Sequence, residues 1–456
     1  RFSALCLAVC LLAVLSRNLL SIDSATYIAA PLLLAYIAIN LANTSAVVRV
    51  FFAIAVLLML SSGLTSVTSE DILAGLNRML YLGSLLSALG FMRVVAAQDA
   101  HFARAGRFLS SQPPARRYVS MYLGGHMFTT LLNMGGLGLL VETVVSAMQR
   151  RRESMSDAVF QLRERRIVSA IMRGFGTIAF WTPFGVALNS MLLVFTDLHW
   201  ADVAPYGLLF ALLALILGGI MDGVERRLKP LSPPPQIEPS EPGDQRSTLV
   251  VVLHVLLLGA SIFVLDSLLP ISFQLVLLFA VPLYALLWIS VLQGAGGVRI
   301  LARQFVERAP NFVTEIGVFS LAGLIGPMIV ALVPDALMDP VFAAIGPHPI
   351  LLAMVLMWTT VVASVFGIHP IISVIVLGEL VVRNGGVSEL AAILALLAGW
   401  ATAVTLAPFA TTAVFVGQLT GRGVWRVTWG WNGLYSLALL VLFSVLIGAG
   451  LLLGIL

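Results

Sequence analysis

The residues able to do chemistry in this 456-residue chain are few, and most are neutral oxygens set beside glycine or proline. Asn133 heads the run Asn133-Met134-Gly135-Gly136-Leu137-Gly138, where glycines let a ligand approach backbone N–H groups closely. Thr177 precedes Pro183 by half a dozen residues, and Thr402, Thr405, Thr411 and Thr412 flank Pro408. Their hydroxyls suit Na⁺ or a hydrogen-bonding solute, although Thr also bonds back to its own helix. His369, in Phe366-Gly367-Ile368-His369-Pro370, can donate to an anion or titrate near neutral pH. Glu142, Glu315 and Glu379 are the acids nearest to apolar stretches, and an acid inside a membrane is a functional candidate by default. Arg173 reads as a side chain reaching out of an apolar segment towards a polar boundary.

No catalytic constellation or metal site is visible. The histidines at 101, 126, 199, 254, 348 and 369 lack ligand spacing, and no G-x-x-x-x-G-K-[ST] loop occurs, which argues against an ATP-driven pump. Cys6 and Cys10 lie one helical turn apart without further ligands and read as packing residues. The net charge of +4 and pI near 9.3 do not indicate nucleic acid, because the arginines sit in short loops between apolar runs. No cofactor is expected beyond a coupling ion, Na⁺ or H⁺.

The elements that must position these residues follow from composition. Hydrophobic residues make up 59% and charged residues 11%, against about a quarter charged in soluble domains. The expectation is an all-α polytopic membrane protein with about eleven transmembrane helices plus two re-entrant hairpins. Basic residues concentrate in 98–117, 149–166, 222–246, 299–308 and 421–430, which are therefore cytoplasmic, whereas 64–72, 197–202, 335–348 and 383–389 contain only Arg383 and lie outside. Segment 118–148 is uncharged up to Glu142 and bounded by basic residues at both ends, so it enters and returns on the cytoplasmic side with its turn near Asn133. The run 341–378 is too long for one helix and poor in basic residues at its flanks, which predicts an outer hairpin over 349–382 turning at Phe366 to Pro370. Overlong segments at 167–198 and 388–420 carry Gly, Thr and Pro near their middles and are read as broken helices.

A shift of 225 residues lays Gly174 to Phe184 on Gly399 to Phe409 with Gly, Thr, Pro and Phe identical. Each matched stretch follows a hairpin, which suggests an inverted repeat. The first would cover 23–221: scaffold helices 23–97, inner hairpin 118–148, broken helix 167–198 and helix 203–221. A cytoplasmic linker at 222–246 contains Pro233-Pro234-Pro235. The second repeat would cover 247–456: scaffold helices 247–333, outer hairpin 349–382, broken helix 388–420 and helix 431–456. Residues 1–22 form an extra helix, read as a trimmed first span rather than a leader because no A-x-A-like cleavage site follows. The N-terminus is expected inside and the C-terminus outside. Inverted repeats with paired broken elements mark secondary transporters, whose site lies between the repeats near the midplane.

On the breaks at 133–138, 174–184, 366–370 and 399–409, the chain resembles the ion transporter superfamily, which includes the divalent-anion/sodium symporters, over essentially its whole length. The resemblance implies a homodimer in the inner membrane, with a scaffold holding the dimer interface and a transport part moving as an elevator. It also implies a small anionic substrate, usually a carboxylate, driven by Na⁺ or H⁺. The divalent-anion branch carries Ser-Asn-Thr at its hairpin tips, and of that motif only Asn133 is present. The expected substrate contacts are Asn133, Gly135, Gly136, Thr177, His369, Thr402 and Thr405; the expected coupling residues are Asn133, Thr177, Thr402, Thr411, Thr412, Glu142 and Glu379. Alternatives are a cation/proton antiporter titrating Glu142, Glu379 or His369, and a membrane-embedded enzyme or lipid-handling protein.

Overall fold

The computed structural model describes residues 1–150, 152–228 and 244–456, and every regular element among them is helical. The chain opens with α1 (Phe2–Leu20), α2 (Ser24–Ile39), α3 (Ala46–Ser61) and α4 (Ser69–Ala96), followed by a short α5 (Ala100–Ser110). Next come α6 (Pro114–Leu132), α7 (Met134–Gln149), α8 (Asp157–Gly176), α9 (Val186–Leu192) and α10 (Trp200–Leu228). Beyond the undescribed stretch lie α11 (Asp244–Leu268), α12 (Phe273–Gln293), α13 (Gly297–Arg308), α14 (Val313–Ala331) and α15 (Asp335–Ile345). The chain closes with α16 (Pro349–Val365), α17 (Pro370–Asn384), α18 (Glu389–Leu406), α19 (Thr411–Thr420) and α20 (Trp431–Leu452).

Nine helical stretches among the described residues are long and apolar enough to cross a membrane. The two expected crossings absent from that set are α2, with only 16 residues, and the α8–α9 segment. There the longer piece carries the charged run Arg163-Glu164-Arg165-Arg166 in its first half, and the apolar piece has only 7 residues. The expected linker lies mostly outside the described residues, including its three prolines, while its described ends belong to α10 and α11. The basic segments at 98–117 and 299–308 are not plain loops: they hold α5 and α13. α5 buries Phe102, Ala105 and Leu109 along one stripe and leaves its arginines towards the surface, the spacing of an amphipathic helix.

α4 is the central strut. Its start is fixed by a capping box: Thr68 Oγ1 accepts from the Asp71 N–H at 3.2 Å, and the Asp71 carboxylate accepts from the Thr68 N–H at 2.8 Å. The helix then runs 28 residues, about 42 Å, buried along most of its length. It lies tightly on α14, where a Cβ at Gly75 would stand 2.4 Å from the Leu324 carbonyl oxygen. Such small-residue contacts let membrane helices approach by their backbones.

One order of elements occurs twice. A long helix (α4, α14), a short helix (α5, α15), a hairpin (α6–α7, α16–α17), an interrupted helix (α8–α9, α18–α19) and a long helix (α10, α20) follow one another in each half. The matched glycines have matched tasks. A Cβ at Gly174 would lie 2.1 Å from the Tyr122 carbonyl oxygen in the first hairpin arm, and one at Gly399 would lie 2.7 Å from that of Met357 in the corresponding arm.

Candidate functional site

The first hairpin turns on a single residue. Asn133 ends α6 and begins α7 with φ 49° and ψ −130°, a backbone region that costs a non-glycine residue about 1–3 kcal/mol. Its N–H still donates to Thr129 O (2.8 Å), and its carbonyl accepts from the Gly136 N–H (3.0 Å). No side chain caps α7, so the Met134 and Gly135 N–H groups have no partner from the helix itself, whereas those of Gly136 and Leu137 donate to the Asn133 carbonyl. The Asn133 side chain makes no hydrogen bond among the described residues and faces a cavity.

The second tip spans Phe366 to His369, with Gly367 at φ 100°. His369 Nδ1 accepts from the Ile371 N–H at 3.3 Å and so caps α17. In the neutral ring that role leaves the proton on Nε2, which lies 3.4 Å from Thr411 Oγ1. Phe319, Trp400 and Phe51 meet the imidazole edge-on at centroid distances of 5.9, 6.3 and 6.4 Å.

Both tips open onto one cavity of about 70 Å³. Four helix starts reach its wall: Met134 of α7, Val186 of α9, Pro370 of α17 and Thr411 of α19. Those of α7 and α19 carry no side-chain cap, so their free N–H groups and the positive ends of their dipoles face the same space. Gly176 and Thr412 complete the ring of chain breaks, and Phe319, Trp400 and Val404 supply an apolar side. A larger cavity of about 410 Å³ adjoins it, sharing Met134, Thr314, Glu315 and Thr411 and adding Gly135, Arg93 and Arg308.

At the junction Arg93 meets Glu315 (Nη2 to Oε2, 2.5 Å) and donates through Nε to the Leu132 carbonyl at 2.9 Å. That second bond satisfies one of the carbonyls left open where α6 ends. Glu315 Oε1 is buried and has no hydrogen-bond partner. A second arginine of α4, Arg78, forms an ion pair with Glu379 of the second hairpin.

Of the residues singled out from sequence, Asn133, Glu315, His369, Thr411 and Thr412 share the small cavity, and Gly135 lines the larger one, as does Glu315. Thr177, Thr402 and Thr405 line neither. Thr177 Oγ1 is held by Tyr122 OH (2.8 Å), His126 Nδ1 (3.2 Å) and Gly174 O (3.0 Å). Thr402 donates back to Ala398 O at 2.9 Å, and Thr405 meets Ser436 Oγ at 2.8 Å. Gly136 is pressed between the hairpin arms, where a Cβ would lie 2.2 Å from Phe128 O. Glu142 is exposed, and Glu379 is occupied by Arg78. Arg173 does not reach outwards: it is buried and donates to Asn432 Oδ1 at 2.9 Å. The sequence reading missed Arg93, Thr314, Phe319 and Trp400. The two arginines in α4 did carry a signal, since an arginine in a membrane helix pairs with an acid or with backbone carbonyls. No group of three potential metal ligands occurs among the described residues.

The sequence matches no family model and no curated protein. In fold the chain is similar to the YdaH transporter of Alcanivorax borkumensis, known from a crystal structure with an unusual topology. The TM-score is 0.62 at 13% identity, and the match covers 90% of this chain and 99% of that one. The chain is thus a multi-pass, all-α membrane protein with the fold of that transporter.

Proposed function

We propose that the protein is a secondary active transporter of the ion transporter superfamily type, moving a small organic anion across the inner membrane as a homodimer. The observation that carries this reading is the meeting of both hairpin tips and both helix breaks in one cavity. An anionic group of the solute, a carboxylate by preference, accepts from the free N–H groups of α7 and α19 and from His369 Nε2, with the Asn133 amide and the Thr411 and Thr412 hydroxyls beside it. Helix starts hold an anion without any net positive side chain. A cavity of about 70 Å³ holds only such an end group, and the rest of the solute extends into the larger space beyond Glu315 and Thr314.

Movement of the hairpins and broken helices past α4 and α14 as an elevator gives access to alternate sides, with the N-terminus inside and the C-terminus outside. For coupling, the unpartnered Glu315 oxygen favours H⁺ over Na⁺. Glu315, paired with Arg93 where the two cavities meet, is the acidic group placed to link the solute to the coupling ion.

Uptake of radiolabelled mono- and dicarboxylates into proteoliposomes, with the proton and sodium gradients imposed one at a time, tests the proposal. Uptake that requires the proton gradient, and that Glu315→Gln uncouples from it, is the expected result. Cation-driven proton flux without uptake of any anion would instead establish the antiporter reading.

A further inference from the structure

A second pocket, of about 430 Å³, lies apart from the central cavity, between α8, the last turns of α10 and the start of α20, and shares no residue with it. Three arginines face it. Arg165 forms an ion pair with Glu225, and Arg166 grips Asp222 with two bonds, Nε to Oδ1 at 2.7 Å and Nη2 to Oδ2 at 2.6 Å. Arg173 has no carboxylate partner among the described residues. Its Nε donates to Asn432 Oδ1 at 2.9 Å and its Nη2 to Trp431 O at 3.3 Å, while its guanidinium carbon lies 4.2 Å from the Tyr435 ring centroid. Its side chain is nevertheless only 9% exposed. The pocket walls thus carry three arginines against Asp222 and Glu225, which leaves one buried positive charge without a counter-ion.

Two hydroxyls on the same walls are also incomplete. Ser169, one helical turn before Arg173 and on the same face of α8, is 3% exposed, and its Oγ has no hydrogen-bond partner. The Tyr118 hydroxyl, on a ring beside the Arg173 guanidinium, has no partner other than that guanidinium. A buried hydroxyl without a partner costs free energy that a ligand oxygen would restore. The rim is of the opposite character: Ile220, Leu228, Trp429 and Leu434 are large apolar side chains left exposed.

We propose that this pocket seats the headgroup of an anionic phospholipid with a singly charged phosphodiester, of the phosphatidylglycerol kind. The phosphate oxygens accept from the Arg173 guanidinium and from the Ser169 and Tyr118 hydroxyls, and the single negative charge matches the one uncompensated arginine. The acyl chains lie over Ile220, Leu228 and Leu434, with Trp429 at headgroup level, where an amphipathic ring is most stable. All three contributing helix ends adjoin basic segments, 149–166, 222–246 and 421–430. The lipid therefore comes from the leaflet on the positively charged side. A soluble anion would leave the apolar rim without purpose.

The test uses the full-length protein, delipidated in a non-ionic detergent. Binding is counted by native mass spectrometry, and the unfolding temperature is followed, with phosphatidylglycerol, with phosphatidylcholine of identical chains, and with inorganic phosphate. Phosphatidylglycerol should bind and raise the unfolding temperature, and the other two should not. Arg173→Gln should weaken that binding roughly tenfold or more. The double variant Ser169→Ala, Tyr118→Phe keeps shape and charge, and should weaken binding roughly tenfold; it decides alone should Arg173→Gln fail to fold. Equal binding of phosphatidylcholine, wild-type affinity in the double variant, or displacement of the lipid by equimolar phosphate would each overturn the proposal, the last by making the pocket a site for a free anion.

Discussion

The first hairpin turns on Asn133 alone, whereas the second takes the four residues from Phe366 to His369. The short turn forces Asn133 to φ 49° and leaves the start of α7 uncapped. The long turn places its left-handed residue at Gly367, where there is no Cβ to oppose it, and spends the His369 side chain on capping α17. One tip therefore presents backbone donors and a strained amide; the other presents a single ring nitrogen oriented by a cap and an aromatic wall. The same cavity is furnished from two sides by different chemistry, so the two tips should respond differently to substitution.

The largest effect is expected at the junction below the first tip. Glu315→Ala leaves Arg93 buried without its partner and should cost about 3–5 kcal/mol, read as a lowered unfolding temperature in detergent, while the double variant Arg93→Met, Glu315→Leu should recover much of that loss. Equal destabilisation of the single and double variants would show that the ion pair is not what holds the tip. Next come the tip glycines. Gly136→Ala sets a Cβ 2.2 Å from a backbone oxygen and should cost about 2–3 kcal/mol. At Gly367 a Cβ would make only ordinary contact with Phe409, at 3.7 Å, and the φ of 100° is what resists, so Gly367→Ala should cost about 1–2 kcal/mol.

A substitution at the cap separates donor from structure. In His369→Asn the new carbonyl oxygen still caps α17, but the Nε2 donor is gone; anion uptake should fall roughly tenfold while the unfolding temperature changes little. A change in stability of opposite sign is predicted for Asn133→Gly. Releasing the strained φ should stabilise the protein by about 1 kcal/mol while uptake drops for want of the side-chain amide. A variant that is both more stable and fully active would show that the asparagine is there for the turn alone.

Much of this arrangement could be read from the sequence, because charge is so sparse. A segment bounded by arginines at both ends is expected to return to the side it left, and an uncharged run of nearly forty residues is too long for one helix, so two helical hairpins could be read with their turns at Asn133 and at Phe366 to His369. Helix rotation was not visible. Gly176 lines the cavity while its neighbour Thr177 turns into α6 to meet Tyr122 and His126, and the identity of the two residues does not say which way the helix faces. Ion pairs were equally hidden: Arg78 and Glu379 stand 301 residues apart. The helices α5 and α13 were missed for another reason, since basic segments were treated as loops although Phe102, Ala105 and Leu109 already followed a helical stripe.

α4 grips the two hairpins unequally. To the first it gives a hydrogen bond from Arg93 to a carbonyl, and to the second a full ion pair between Arg78 and Glu379. The elevator movement proposed above would have to give up both contacts. If the hairpins move as proposed, the Arg78–Glu379 pair would be a latch on that movement, away from the cavity where the solute would sit.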